Sequence, residues 1–198
     1  MRSKIKRVFL VTGTPGVGKT TVSQILATKL KALHVDIARV VTHEKIKSGY
    51  DEKRQTLIAD TNKLAKRVQD IISKSSKIVI VDGHYATDLV PKDHVTKAFV
   101  LRCHPKELGK RMEERGFQGS KIKENLAAEV LDVCLIDAVS NIGKEKVCEV
   151  DTTGQTFDDT VRRMLSVIRG RKMCSVRIVD WLGRLEAEGT LEQYLQEF

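Results

Sequence analysis

The stretch Gly13-Thr14-Pro15-Gly16-Val17-Gly18-Lys19-Thr20 constrains this chain more than any other part of it. The pattern G-x-x-x-x-G-K-[ST] needs a buried strand before it and a helix after it. Its glycines let backbone N–H groups turn inward around phosphate oxygens, and the helix adds its positive pole. The sequence supplies both neighbours. Ile5 to Thr12 is an apolar, β-branched run, and Thr20 to Leu33 carries Val22, Ile25, Leu26, Leu30 and Leu33 at helical spacing. In such a loop Gly13, Gly16 and Gly18 shape the cradle of a nucleoside triphosphate. Lys19 neutralises charge on the outer phosphates, and the Thr20 hydroxyl reaches a magnesium ion.

Further along, a short strand is expected around Leu33 to Val35, and Asp36 caps a helix that ends near Ser48-Gly49. Leu57 to Ile72 is expected as a second helix. Lys77 to Val81 and Ala98 to Leu101 are continuous apolar runs, the mark of central parallel strands. Pro105 opens a helix reaching Arg115, and Lys121 to Ile142 has the spacing of one long helix. Val147 to Val150 is a fifth strand, and Phe157 to Ile168 a further helix. Strands alternating with helices, without tandem hairpins, predict an α/β fold with a doubly wound parallel sheet.

The residues after Gly170 form an appendage with Val176, Val179, Leu182 and Leu185 at helical spacing, and two short helices are expected there. Thr190 and Gln193 have the spacing of a capping box. Trp181 and Phe198 are expected either to pack on the domain or to serve a partner.

Lys and Arg number 35 against 26 Asp and Glu, a net charge of +9 that favours acidic partners such as nucleotides or RNA. Arg162, Arg163, Arg169, Arg171 and Lys172 concentrate part of it. Cys103, Cys134, Cys148 and Cys174 include no C-x-x-C pair, and no histidine cluster has zinc-ligand spacing. All four are expected as reduced packing residues. Arg2, Lys4, Lys6 and Arg7 precede an apolar run too short for a signal peptide, and no stretch approaches a membrane span.

Asp82 ends the third apolar strand, where a carboxylate organises magnesium in folds of this kind; the competing reading is a turn residue before Gly83. His84, two residues on, either positions a water or phosphate acceptor or is hydrogen-bonded structure. His34, His43, His94 and His104 have no comparable placement. Arg102, Arg111 and Arg115 follow the fourth strand, the last two at i, i+4 on one helix face. They read either as a phosphate clamp or as surface charge paired with Glu107, Glu113 or Glu114.

Together these residues resemble one family: the small archaeal and eukaryotic adenylate kinase isoenzyme six group, an adenylate kinase and ATPase family linked to small ribosomal subunit maturation. The likeness runs from Val8 to about Ile168. It rests on residues 13–21, Asp36-Ile-Ala-Arg39, Gly49-Tyr50-Asp51, Val81-Asp82-Gly83-His84, Leu101-Arg102, Arg111-Met-Glu-Glu-Arg115-Gly116-Phe117 and Lys121-Ile-Lys-Glu-Asn125. The resemblance implies a P-loop NTPase core of nucleoside-monophosphate-kinase type: a five-stranded parallel sheet flanked by helices over 1–170, followed by a helical extension over 171–198. A monophosphate-binding (NMP) insert would span about 36–59 and a short lid about 114–124.

By motif match, Gly13, Gly16, Gly18, Lys19, Thr20, Thr21 and Arg115 would bind ATP, and Asp36 and Arg39 the acceptor monophosphate. Thr20 and Asp82 would hold Mg2+, in part through water, while Lys19, Asp82, His84, Arg111 and Arg115 would act in catalysis. Expected partners are ATP, AMP or another NMP, a small-subunit ribosomal protein of the S-eleven family, and pre-ribosomal RNA. A monomer is expected, free of membrane, in the cytoplasm or, in a eukaryote, also the nucleus. Ordinary adenylate kinases carry Asp-Gly-[aromatic]-Pro-Arg after strand three, and that arginine holds the monophosphate. Here the segment is Asp82-Gly83-His84-Tyr85-Ala86. Two functions follow: a monophosphate kinase with ATPase activity, or a nucleotide-switched assembly ATPase. A GTPase is disfavoured by the lack of Asn-Lys-x-Asp, and a sugar or shikimate kinase by the Arg-Gly-Phe pattern.

Overall fold

The computed structural model describes residues 7–51 and 56–195. Residue-level expectations at Arg2, Lys4, Ile5, Lys6 and Phe198, and part of the insert at 52–55, lie outside that range.

Period-two alternation sets the frame. In β1 (Val8–Gly13), Val8 and Leu10 point to one side of the sheet and Phe9 and Val11 to the other, all fully buried. A strand buried on both faces belongs inside a parallel sheet, and β1 lies at its centre. The other strands are β2 (Leu33–Asp36), β5 (Val79–Asp82), β6 (Val95–Arg102) and β7 (Val147–Asp151), in spatial order β2-β5-β1-β6-β7, with all pairs parallel. This is the expected five-stranded sheet.

Two helical layers cover it. Residues of α2 (Ile37–His43), α3 (Thr61–Lys74), α4 (Ala86–Leu89) and α7 (Val133–Ile142) pack on the Val8/Leu10 face. Residues of α1 (Lys19–Leu30), α5 (Pro105–Glu114), α6 (Gly119–Val130) and α8 (Phe157–Ile168) pack on the Phe9/Val11 face. The chain returns to the sheet on opposite sides of β1, so the loops after β1 and β5 open a crevice where the winding reverses. Ligands bind at that point in open α/β sheets.

Several sequence expectations are corrected. The helix capped by Asp36 stops at His43, and residues 47–51 form β3 (Lys47–Asp51) instead. Leu57 and Ile58 lie in β4 (Thr56–Ala59), and β3 and β4 pair antiparallel as a two-stranded hairpin. The apolar Leu57-Ile58 pair suits a helix or a strand by periodicity; cross-strand pairing decides it, and helix α3 starts only after the Asp60 cap. The long helix over 121–142 is two helices. Asp132 takes the left-handed conformation (φ 57°), and its carboxylate accepts from Arg102 Nη2 at 2.5 Å. That tertiary ion pair stands at a break the apolar spacing does not reveal.

Beyond Gly170 the chain adds α9 (Trp181–Ala187) and α10 (Glu192–Leu195). The Thr190 hydroxyl turns back to the Leu185 carbonyl (3.5 Å), closing α9 rather than boxing α10. Cys148 and Cys174 form a disulfide between β7 and this segment, with Cα atoms 4.7 Å apart. The expectation of four reduced thiols therefore fails for this pair, because packing of residue 174 on β7 brings together cysteines 26 positions apart. Cys103 and Cys134 are free and buried, as expected.

Candidate active site

The loop after β1 folds as its glycines dictate. Gly13 has φ +134°, and a Cβ there would lie 2.4 Å from the Leu101 carbonyl oxygen, so only glycine lets β1 and β6 approach so closely. Gly18 takes φ +101° at the N-terminus of α1, and a Cβ there would meet the Phe157 ring.

Lys19 folds back over the loop and donates to the carbonyls of Gly13 (2.7 Å) and Thr14 (3.0 Å). Burial lowers its pKa from the ordinary value, with Arg115 adding repulsion; Cys134, Asp82 and Glu129 oppose this. An ammonium disfavoured in this way gains when phosphate oxygens arrive.

Asp82 is buried at the end of β5 and in register with Asp36 on β2. Its Oδ1 accepts from the Thr20 hydroxyl at 3.3 Å, while Oδ2 lies 2.5 Å from His34 Nε2. The sequence placed Asp82 and Thr20 at one site but set His34 aside. Strand pairing brings it there: His34 sits on β2 opposite Ile80, one strand over from Asp82 on β5. A hydroxyl and a carboxylate oxygen 3.3 Å apart are the hard donors that Mg2+ takes in small number, completing its shell with water and phosphate. The residues fit that ion. Among the described residues no group of three or more His, Cys, Asp or Glu could hold a metal by itself.

His84 is half-buried. Its carbonyl accepts from the Thr12 hydroxyl (3.1 Å), and its Nδ1 lies 3.5 Å from Cys134 Sγ. Burial and the nearby Lys19 lower its pKa, against a hydrogen bond to the Gly13 backbone, so the imidazole is neutral at pH 7. The Cys134 thiol is pushed up to about 11 by burial and stays protonated. Tyr85 is exposed and lies edge-on to His84.

The three arginines separate. Arg102 is fully buried: Nε donates to Glu129 Oε1 (2.8 Å), Nη1 to Glu149 Oε1 (2.6 Å), and Nη2 to Asp132. It is neither surface charge nor a phosphate clamp. Burial opposes its charge, but Glu129, Asp132 and Glu149 outweigh that and raise its pKa. One guanidinium shared by three carboxylates does not neutralise them all, and burial raises the pKa of Glu149 even so.

Arg111 donates to Glu107 Oε1 (2.5 Å) and the Thr152 carbonyl (3.1 Å), and more weakly to the Val17 carbonyl (3.5 Å). It thus touches both the phosphate loop and its i−4 acidic partner. Arg115 is exposed at the end of α5 and lines a cleft of about 300 Å3 with Gly16, Arg111, Thr156 and Phe157. Phe157 is 40% exposed and lies over Gly18, a flat apolar surface beside the loop. Nothing in its local sequence marks it, since it opens an ordinary amphipathic helix. On the other side of the loop, Asp36 caps α2 by accepting from the Arg39 N–H (3.1 Å), and Arg39 is exposed. Thr21 is half-buried in the first turn of α1.

A family model described as AAA domain matches residues 10–132, which include the loop, Asp82, Arg111 and Arg115. A protein of Methanocaldococcus jannaschii named "Putative adenylate kinase" is 37% identical over 182 residues, covering 92% of this chain and 97% of that protein. The Pyrococcus furiosus protein of the same name is 40% identical over 175 residues, covering 88% and 91%. The chain belongs to this adenylate kinase-like family. A match over 182 of 198 residues cannot end at Gly170, so the family likeness continues into the C-terminal segment. Among solved structures, a Sinorhizobium meliloti gluconokinase superposes with TM-score 0.54 at 17% identity, covering 99% and 100% of the two chains. A Bacteroides thetaiotaomicron shikimate kinase superposes with TM-score 0.51 at 16% identity, covering 83% and 98%. These show the P-loop kinase fold that the adenylate kinase-like chain shares.

Proposed function

We propose that this chain is a phosphotransferase that moves the γ-phosphoryl of Mg·ATP to a nucleoside monophosphate, AMP first among the candidates, and that it also hydrolyses ATP. The observation carrying this reading is the convergence of Lys19, Thr20 and Asp82 on one loop mouth, with the Thr20–Asp82 pair at 3.3 Å. The loop N–H groups, with Gly13, Gly16 and Gly18, hold the phosphates while Lys19 exchanges two carbonyls for phosphate oxygens. Thr20 and Asp82 would hold Mg2+, which would supply neutralisation of the phosphate charge. Thr21 completes the phosphate contacts from the first turn of α1.

Arg115 and Phe157 flank the base across the cleft. Arg111 turns from Glu107 toward the transferring group as the lid at 114–124 closes, and Arg111, Arg115 and Lys19 stabilise its charge. Asp36 and Arg39 face the acceptor from the insert at 36–59. Neutral His84 orients the attacking hydroxyl or water. A coupled assay with Mg·ATP and each monophosphate in turn tests this: ADP formation must exceed the hydrolysis seen with ATP alone, and equality for every acceptor overturns the kinase.

A second reading rests on the exposed cluster of Arg163, Arg169, Arg171 and Lys172 at the end of α8, where Arg162 is also exposed but paired with Asp159. Such a surface suits RNA phosphates, and with it a role in small-subunit maturation beside a ribosomal protein of the S-eleven family. RNA affinity should fall steeply with salt; affinity insensitive to salt, or to charge reversal of Arg169 and Arg171, removes this reading.

A further inference from the structure

Glu129 sits at a junction unrelated to solvent. Its Oε2 accepts from the Thr14 hydroxyl of the phosphate loop at 2.5 Å. Its Oε1 accepts from Arg102 Nε (2.8 Å), from the Cys103 backbone N–H (3.1 Å) and from the indole Nε1 of Trp181 (3.1 Å). Thr14, Glu129 and Arg102 are at most 1% exposed, and Trp181 is 3% exposed. One oxygen of a rigid carboxylate thus serves the loop and the other serves the C-terminal segment.

That segment is attached a second time to the same network. The Ile178 N–H donates to Glu149 Oε2 (2.7 Å), and the other oxygen of Glu149 accepts from Arg102. Its helices α9 and α10 also pack on α6, whose first turn lies in the lid segment. The path between Trp181 and Thr14 is therefore two hydrogen bonds to one buried carboxylate, where such bonds are short and strong.

We propose that the C-terminal segment is a positioning element of the nucleotide site: Trp181, acting through Glu129, sets the placement of Thr14 in the phosphate loop, so that nucleotide occupancy and docking of the segment favour each other. This rests on the reading that the loop binds ATP. Linkage makes the effect reciprocal: whatever the docked segment adds to ATP affinity, bound ATP adds to docking. Trp181 is a positioning residue rather than a catalytic one, because its indole N–H is committed to Glu129 and its ring stands edge-on to His104.

Trp181 is also the sole tryptophan of the chain, which makes the test direct. The full chain is titrated with Mg·ATP while indole emission and binding heat are followed in parallel. The expected result is an emission change that saturates with the same Kd as the heat. Heat without any emission change overturns the coupling and leaves the nucleotide reading standing, whereas no binding heat overturns the nucleotide reading and this inference with it.

Trp181→Phe then removes the donor and keeps an aromatic ring. The KM for ATP should rise roughly three- to tenfold, in line with loss of one bond to a charged group, while the KM for the monophosphate stays unchanged. A merely structural loss lowers the folded fraction, and so kcat, without moving KM. An unchanged KM for ATP counts against the proposal.

Discussion

Lys19 is required to stay charged where burial disfavours it, and the two loop carbonyls it holds are replaceable by phosphate. Lys19→Ala should therefore leave the fold intact and cut kcat/KM for ATP roughly 100- to 1000-fold, as for loss of one preorganised donor to a transition-state anion; steady-state kinetics beside a circular dichroism spectrum checks both parts. His84 is the second residue with a definite expectation. His84→Ala should lower hydrolysis roughly 100-fold and transfer to a monophosphate less, measured as phosphate release and ADP formation in one reaction mix.

His84 also fixes a pH dependence. Its folded pKa lies below the ordinary 6.5, so between those two values the unfolded chain binds a proton that the folded chain does not. Stability should thus fall as pH drops below about 6.5 and level off below the folded pKa. Urea midpoints at pH 7.5 and 5.5 should differ less in His84→Asn than in the parent.

At the scale of elements, the tightest constraint is the join of β1 to its loop. Gly13→Ala forces a Cβ against the Leu101 carbonyl at a φ that L-residues rarely adopt, and should cost about 1–3 kcal/mol or more, read from denaturant unfolding. The join of β7 to the C-terminal segment is covalent. Cys174→Ala opens a 26-residue span closed by the disulfide with Cys148, and should lower stability by about 2–4 kcal/mol; reductant should then have no further effect on the variant. Elements with clean periodicity, such as β1, β5, α5 and α8, were legible in the sequence. The hairpin β3–β4 and the break at Asp132 were not, because cross-strand pairing and the Arg102–Asp132 ion pair are contacts between residues distant in sequence.

At the scale of the whole molecule, the network around Arg102 ties β6, β7, α6, the phosphate loop and the C-terminal segment into one unit. Arg102→Met removes the shared cation and strands Glu129 and Glu149 in the interior. The expected loss is about 3–5 kcal/mol, the cost of breaking a buried ion pair from one side, and a denaturation midpoint measures it. Because the network touches the loop, the variant should also bind Mg·ATP more weakly when assayed under fully folded conditions.

The loop from Gly13 to Thr20, the apolar strands and the positions of Asp82 and His84 were determined by sequence alone, because glycine conformations, strand alternation and strand ends are local properties. Tertiary structure alone decided which side chains meet. It drew His34 to Asp82, laid Phe157 beside Gly18, withdrew Arg102 from the mouth of the site and buried Trp181 against Glu129. Each of these pairings joins residues from separate elements, and the order in which five strands lie side by side sets them. No local pattern encodes that order by itself; it follows from burying both faces of β1 at once.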